Sequence, residues 1–319
     1  MLRKDLQKRR YPEDGVPRAQ SSSPPSPRRQ TLSLPASVGS DTPQLGAPGT
    51  TNPPQLKTDM LCWGSNSNGQ LGVGDYLSRV YPQIVPYFRG SDLRAVVCGS
   101  RSTLALDADG RVFSWGKGED GTLGTGERGS VLKPRLVERL LRYPVDALAC
   151  RGSHVLALTA KGQVWSWGRD EDGQLGHGDG DLGAGLPADG QSGGVPQRVR
   201  GLMGITVAAV ACGRTHSVAL AADGTLYSWG CGDDGVLGHG DTRGRRAPTP
   251  IVAAAFGGQR VRAVECGSRH TLALLDGGVL CSWGWGVYGQ LGHGDTQSQY
   301  SPKVVERLNR LSVMRLACG

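Results

Sequence analysis

A fifteen-residue motif recurs five times in this chain, and no other feature constrains its fold as strongly. The copies span residues 61–75, 113–127, 165–179, 227–241 and 281–295, and each contains the pattern W-G-x4-G-x-L-G-x-G-[DE]. A motif that returns at a nearly fixed period marks a repeat architecture, in which each copy belongs to one small unit that stacks on its neighbours. The sequence therefore predicts one fold built from similar units.

A second motif, a Cys followed by a short apolar run, precedes four of these copies. The Cys lies 17 residues before the Trp in every case, at Cys98–Trp115, Cys150–Trp167, Cys212–Trp229 and Cys266–Trp283. The stretch from one Trp to the next Cys varies between 35 and 45 residues. A fixed length indicates a hydrogen-bonded core, whereas a variable length indicates loops that tolerate insertions.

Within the fixed half, the local sequence predicts β-hairpins. Residues 217–220 and 226–229 are short β-prone runs, and Asp223-Gly224 lies between them. Asp-Gly favours a tight hairpin because Gly accepts a positive φ without a steric clash. The Pro-containing runs 132–137 and 300–305 suit an outer edge strand, where a missing amide donor is tolerated. Each repeat is thus expected to supply about four strands and no good helix.

A small sheet of this kind cannot bury both faces alone, so we predict an all-β fold whose sheets stack around an axis, a β-propeller. A parallel solenoid would need shorter repeats without Asp-Gly hairpins. The linked motifs C-G-x2-H-[ST]-x-A-L and S-W-G-x4-G-x-L-G-x-G-D resemble the regulator of chromosome condensation repeat over about residues 60–319. The resemblance implies four-stranded blades, which close as a ring of seven in the best-known members.

The domain organisation follows from where the repeats lie. Residues 59–319 are expected to form the propeller, with about five repeats that are incomplete relative to seven blades, because the chain ends at Cys318-Gly319, where another Cys-Gly motif begins. A five-bladed ring, or a partner chain that completes the ring, is the alternative. Residues 1–58 carry nine Lys/Arg and four Asp/Glu among many Pro and Ser, so we expect a disordered basic extension.

The composition limits the function classes. The repeat region holds 27 Lys/Arg and 24 Asp/Glu, which does not indicate a general nucleic-acid-binding surface, although residues 1–29 suit a contact with nucleic acid or chromatin. No hydrophobic run approaches the length of a membrane span, so no membrane contact is expected. Eight Cys without a C-x-x-C pair favour free thiols and an intracellular, cytoplasmic or nuclear, location.

The loops also contain G-x-G-x-x-G, for example at Gly284, Gly286 and Gly289, which is the spacing of a dinucleotide-binding turn. Such a turn must open a helix whose N-terminus meets the pyrophosphate. The glycine-rich continuation here cannot propagate a helix. The spacing is therefore attributed to blade turns, and we predict no catalytic, cofactor-binding or metal-binding residue.

Residues at equivalent positions of successive repeats, here called columns, are expected to be structural. The Trp before Gly should pack between adjacent blades, the Cys should be small buried residues near the axis, and the His should bond local backbone or acidic partners. Equivalent positions lie a blade apart, so they do not converge on one metal or one reaction centre. These structural residues are Trp63, Trp115, Trp167, Trp229, Trp283, Cys98, Cys150, Cys212, Cys266, His216 and His270.

Features that break the repeat are the candidates for partner contact. Trp285 is an aromatic residue without a column, and residues 242–246 form a basic cluster with Arg243, Arg245 and Arg246. The third interval contains a Gly/Ser/Asp-rich insertion at 180–194. Insertions on the rim of a propeller often hold partners, so these positions are predicted to contact a protein.

We interpret the chain as a non-catalytic scaffold that binds protein partners through its blade loops. The resemblance implies one alternative, guanine-nucleotide exchange on a small nuclear (Ran-type) GTPase. A further alternative is an ultraviolet-B photoreceptor, whose family pattern has Trp directly after Cys-Gly. This sequence has Ser100, Arg214 and Ser268 there, so photoreception is disfavoured.

Overall fold

The computed structural model describes residues 59–178, 194–309 and 311–319. These residues form four four-stranded antiparallel sheets, one two-stranded sheet and six short 3₁₀ turns, and this part of the chain contains no α-helix. The predicted all-β propeller architecture is confirmed. The predicted extension at 1–58 and most of the insertion at 180–194 lie outside the described residues.

The strands fall into five blades, numbered in chain order. Blade 1 contains β1 (Leu61–Gly64) and β2 (Arg79–Ile84). Blade 2 contains β3 (Leu93–Cys98), β4 (Ser102–Asp107), β5 (Val112–Gly116) and β6 (Val131–Leu136). Blade 3 contains β7 (Val145–Cys150), β8 (His154–Thr159), β9 (Val164–Gly168) and β10 (Gln197–Arg198). Blade 4 contains β11 (Val207–Cys212), β12 (His216–Ala221), β13 (Leu226–Gly230) and β14 (Arg245–Pro250). Blade 5 contains β15 (Val261–Cys266), β16 (His270–Leu275), β17 (Leu280–Gly284) and β18 (Gln299–Val304).

Consecutive strands pair in each four-stranded blade, so every sheet is a meander. The predicted hairpin joins β12 to β13, where Gly224 has a φ of +91° and its amide donates to the Ala221 carbonyl at 2.9 Å. The Pro-containing runs form β6 and β18, which pair with only one neighbour each, as expected. The first strands β3, β7, β11 and β15 contact one another from blade to blade and are innermost.

The hydrophobic core lies between successive sheets. One core cluster joins Leu156 and Val164 of blade 3 to Ala219 and Trp229 of blade 4, and Trp229 is fully buried. Its indole N–H donates to the Gln174 carbonyl of the preceding blade at 2.9 Å. The same bond recurs at Trp115, Trp167 and Trp283, with distances of 2.8–2.9 Å. The repeated Trp therefore joins each blade to the one before it.

The glycine of each Leu-Gly pair explains why this joint tolerates no side chain. A Cβ on Gly176 would lie 2.7 Å from Nε1 of Trp229, and Gly176 has a φ of +78°. Gly72, Gly124 and Gly238 meet the next Trp at 2.7–2.8 Å in the same way. The Gly and the Trp of the fifteen-residue motif are thus two halves of one contact between neighbouring blades.

Trp63 differs from the other members of its column. It lies in β1, where no described blade packs against it, and it is 60% exposed. The expectation that Trp63 packs between blades is not met within the described residues. Each of its equivalents is buried by a loop of the preceding blade, and the described part of the chain has no such loop before Trp63.

The Cys column marks the ends of the innermost strands. Cys212 and Cys266 are buried, Cys150 is half-buried and Cys98 is exposed. All four are free thiols. Burial raises the pKa of the Cys150 thiol to about 12, so this group stays protonated at neutral pH.

Candidate partner-binding face

Two sets of loops lie at the same end of the blades, because neighbouring strands alternate in direction. They are the turns between first and second strands and the loops that follow third strands. In blade 2 the two meet where the Lys117 amide donates to the Arg101 carbonyl at 2.9 Å. We call this end the loop face, and the opposite end, which carries the Asp-Gly turns, the hairpin face. The first-to-second-strand turns of the loop face span 99–101, 151–153, 213–215 and 267–269.

Buried histidines lie directly beneath the loop face. His154 Nε2 is 2.9 Å from the Ser217 hydroxyl of the next blade, and His216 Nε2 is 3.2 Å from the Thr271 hydroxyl. The Ser217 hydroxyl donates to the Gln174 carbonyl, so it accepts from the imidazole N–H. The partners are therefore hydroxyl groups one blade away, and not the local backbone or acidic groups that the sequence suggested.

Burial also fixes the charge of these histidines. It lowers the pKa of His154 to about 4 and that of His216 to about 3, so both are neutral at physiological pH. His270 is the third member of this column; it is half-buried, and burial lowers its pKa too. The Gly of the Cys-Gly motif makes room for the ring, because a Cβ on Gly213 would lie 2.0 Å from Cε1 of His216.

A second histidine column braces the long loops. His239 Nε2 lies 3.0 Å from the hydroxyl of Ser228, which itself donates to the Leu237 carbonyl. His177 with Ser166 and His293 with Ser282 repeat the arrangement. These imidazoles hold a loop on its own blade.

Asp side chains close the turns that follow this second column. The Asp241 carboxylate accepts from the Arg243 amide at 3.0 Å, and those of Asp75 and Asp295 accept from Leu77 and Gln297. The His and Asp side chains at these repeated positions thus form hydrogen bonds that hold the loops in place.

Three columns at the loop face vary from blade to blade. The position after the Cys-Gly pair holds Ser100, Gly152, Arg214 and Ser268. The next position holds Arg101, Ser153, Thr215 and Arg269, and the position after Trp-Gly holds Lys117, Arg169, Cys231 and Trp285. All except Gly152 are exposed or half-buried. The repeated Trp115, Trp167, Trp229 and Trp283 are therefore buried between blades, whereas residues that vary from blade to blade are presented to solvent.

Cations from three blades line one cavity of about 210 Å³ on this face. Arg101 and Lys117 come from blade 2, Arg169 from blade 3 and Arg214 from blade 4, and Asp120 is the one carboxylate among the lining side chains. We call these five residues and the space between them the basic pocket. No local motif marks this pocket, because its members come from separate loops and lie as far apart in the chain as Arg101 and Arg214, 113 positions.

An aromatic and basic patch lies on blade 5. The guanidinium of Arg269 lies 4.9 Å from the centre of the Trp285 ring, and Tyr288 contacts the same ring edge-to-face at 4.9 Å. Arg269 also forms an ion pair with Asp234 of blade 4. Trp285 is half-buried by these neighbours, whereas Tyr288 is 81% exposed. The exposed aromatic residue of this patch is therefore Tyr288, which sequence analysis missed.

The basic loop at 242–246 is partly neutralised within the chain. Arg245 and Arg243 both pair with Asp241, at 3.0 Å and 3.2 Å. Arg245 beside it lowers the pKa of Asp241 to about 2, with help from the Arg243 amide. Arg246 contacts the Glu171 carbonyl at 3.4 Å. The structure gives Arg245 an intramolecular role, whereas Arg243 and Arg246 are exposed.

Arg151 is the one non-glycine residue in a column that holds glycine in the other complete blades. It occupies the position that is Gly99, Gly213 or Gly267 in the other complete blades, and its guanidinium donates to the Cys318 carbonyl at 2.7 Å. The bond joins blade 3 to residues near the end of blade 5, 167 positions away. The departure of Cys150-Arg151-Gly152 from the motif was the only sequence signal for this contact.

The Regulator of chromosome condensation (RCC1) repeat matches residues 59–106, 109–158, 161–220, 223–274 and 277–319. The chain belongs to the RCC1 repeat family. A second description of the same repeat matches 93–122, 145–174, 207–236 and 261–290, which in each case begins at an innermost strand.

Individual RCC1-repeat relatives differ widely in length. Ultraviolet-B receptor UVR8 of Arabidopsis thaliana is 37% identical over 266 residues, which cover 83% of this chain and 58% of that protein. E3 ubiquitin-protein ligase HERC2 of Homo sapiens is 38% identical over 261 residues, which cover 80% of this chain and 5% of that protein. The crystal structure of human WBSCR16 superimposes with a TM-score of 0.68 at 28% identity, covering 78% and 63% of the two chains. The chain spans less than two thirds of the length of each.

Within 59–178, 194–309 and 311–319, no group of three or more His, Cys, Asp or Glu side chains could hold a metal ion. No helix in this part of the chain is long and apolar enough to cross a membrane. The predicted nucleic-acid contact at 1–29 lies outside the described residues.

Proposed function

We propose that this chain is a non-catalytic scaffold that binds a protein partner through the loop face. One contrast between columns carries the proposal. The repeated Trp and His side chains form contacts that hold the blades together, whereas residues that vary between blades are exposed on the loop face. A selective binding surface needs such differences, because identical blades would offer identical and weak sites.

The chemistry of the loop face suits a protein interface. Tyr, Trp and Arg are the residue types that most often dominate binding energy, and they occur together in the patch of Trp285, Tyr288 and Arg269. The Trp285 ring is already held by its two neighbours, so little side-chain freedom is lost when a partner packs on it. The basic pocket adds a charged region to the same face.

The titratable groups support a non-catalytic role. A general acid or base works best with a pKa near the operating pH, whereas His154 and His216 have pKa values lowered by burial to about 4 and about 3. A reactive thiol needs a lowered pKa, whereas burial raises the pKa of Cys150, Cys212 and Cys266. None of these groups is tuned for acid–base or nucleophilic chemistry.

Site-specific photo-crosslinking in cells tests the proposal. A photo-reactive amino acid replaces Tyr288 on the loop face or, as the control, Arg89, which is exposed on the hairpin face. We expect a discrete partner adduct from position 288 and none from position 89. Adducts from position 89 alone, or the same adducts from both positions, would contradict binding through the loop face.

Guanine-nucleotide exchange on a small nuclear (Ran-type) GTPase is the competing function implied by the family. A nucleotide-release assay with that GTPase separates the two. We expect no acceleration of release by the purified chain. An acceleration that is lost when Arg101 and Arg214 are both changed to Glu would replace the scaffold proposal with exchange activity at the same face.

A further inference from the structure

We propose that the basic pocket binds an oxyanion carried by an extended segment of the partner, either a phosphomonoester or a pair of carboxylates. This inference rests on the proposed function and names the chemistry of the partner. It comes from the placement of four cations from three blades around a cavity of about 210 Å³.

The charge balance of the basic pocket is the first support. Glu119 pairs with Lys117 at 2.5 Å, and Glu171 pairs with Arg169. Arg101 and Arg214 are exposed and make no ion pair with any residue that the structure describes. Two unpaired guanidiniums near two further cations repel one another, and an anion between them relieves that repulsion. Arginine forks match carboxylate and phosphate oxygens with paired hydrogen bonds.

Neutral donors on the wall are the second support. The Thr122 hydroxyl is occupied, since it donates to the Ser153 carbonyl at 2.9 Å. Ser153 and Thr215 also line the pocket, and their hydroxyls have no hydrogen-bond partner in the described part of the chain. An oxyanion accepts several hydrogen bonds at once, so these hydroxyls complement the two free guanidiniums.

The size of the pocket limits the ligand. Pockets for whole small molecules usually measure roughly 300–1,000 Å³, and one water takes about 30 Å³ of liquid. A cavity of about 210 Å³ lies below that range, so it suits a single charged side-chain group with its ordered waters better than a whole small molecule. The pocket also opens on the loop face beside exposed residues such as Ser100, so a chain that crosses the face can insert one group into it.

Asp120 allows a test of whether the bound group is negatively charged. Its carboxylate is exposed on the wall and opposes any anion that enters. If the pocket binds an oxyanion, Asp120→Asn must strengthen binding, whereas loss of Arg101 and Arg214 must weaken it. A surface that binds through apolar contacts alone would show neither effect.

The experiment measures the fluorescence anisotropy of labelled nine-residue peptides at low and physiological salt. The first probe has a central phosphoserine flanked by Asp and Glu, the second has Glu at the centre, and the third replaces every acidic residue with Gln and leaves Ser unmodified. We expect the two anionic peptides to bind and the neutral one not to bind. A preference for phosphoserine identifies a phosphomonoester, and equal binding identifies carboxylates.

Variants make the test specific to the pocket. We expect Arg101→Gln with Arg214→Gln to weaken binding at least about tenfold, since each guanidinium contributes a charge-assisted bond. Asp120→Asn should tighten it about two- to fivefold, and Arg89→Gln on the hairpin face should leave it unchanged. Unaltered melting temperatures would show that these exposed changes leave the fold intact.

Two results would overturn the inference: equal binding of the neutral and anionic peptides, or unchanged binding after loss of both arginines. Failure of the scaffold proposal is distinguishable. If no peptide binds while crosslinking at position 288 still yields a partner, the oxyanion inference fails alone. If the peptides bind but no partner crosslinks at the loop face, the proposed protein-binding role fails while the pocket retains its anion affinity.

Discussion

At the scale of single residues, the histidines show how a repeat can place reactive groups in inert surroundings. The Ser217 hydroxyl must donate to the Gln174 carbonyl at 2.7 Å, so it can only accept from His154. This fixes the neutral tautomer with its proton on Nε2. The other ring nitrogen of His154 and of His216 is buried without a partner, which costs less than burying a charged ring.

The buried histidines predict acid sensitivity. Their folded pKa values, about 4 and about 3, lie below the ordinary value near 6.5, so the unfolded chain binds protons that the folded chain does not. The contribution of these histidines to the free energy of unfolding is fully present above about pH 7. It falls by roughly 3 kcal/mol per histidine as the pH drops from about 6.5 to 4. Urea unfolding from pH 7.5 to 4.5 measures this loss.

The matched variant is the double change His154→Gln and His216→Gln, because Gln retains an N–H donor and does not titrate. We expect the variant to be less stable at pH 7.5 but to lose less stability on acidification than the natural chain. Parallel pH profiles for the two proteins would show that carboxylates, and not these histidines, control acid unfolding.

At the scale of elements, the feature that recurs is the contact between the Trp of one blade and the Leu-Gly turn of the blade before it. Each Leu-Gly turn presents a carbonyl and a bare Cα to the Trp of the next blade. The sequence predicts the hairpins well, because Asp-Gly chemistry acts between adjacent residues. It could not predict the partners of the histidines, which lie 55 and 63 residues away and become neighbours only when blades pack.

The two environments of the Trp column give a matched comparison. Trp229→Phe removes a fully buried indole N–H and part of a packed ring, and we expect a loss of about 2–4 kcal/mol in the free energy of unfolding. Trp63→Phe changes a residue that is 60% exposed, so its effect should stay within about 0.5 kcal/mol. Chemical denaturation of both variants measures the difference; equal losses would contradict the blade-joint role.

At the scale of the whole molecule, contacts that cross several blades depend on exceptions to the repeat. Arg151 reaches the Cys318 carbonyl at 2.7 Å from a column of glycines. The basic pocket likewise gathers residues from blades 2, 3 and 4. The repeat pattern predicts that these positions are loops, but which loops meet depends on the angle between blades, which no local motif encodes.

The Arg151 contact predicts a local effect. Arg151→Gly restores the glycine of the column, so the backbone should tolerate it, but it removes a charge-assisted bond to residue 318. We expect hydrogen exchange of the Val313 amide, which donates to the Gly278 carbonyl, to accelerate while the blades retain their protection. Arg214→Gly, which breaks no such bond, is the control; unchanged exchange in both would show that Arg151 does not hold this segment.

The central claim is that repeated residues hold the blades together and variable loop-face residues bind the partner. The most direct test measures melting temperature and crosslinked partner yield on the same variants. We predict that Trp229→Phe lowers the melting temperature, whereas Arg101→Glu with Arg214→Glu leaves it unchanged and abolishes the adduct formed from position 288. A partner yield that follows the melting temperature in every variant, and is untouched by the two loop-face changes, would contradict the claim.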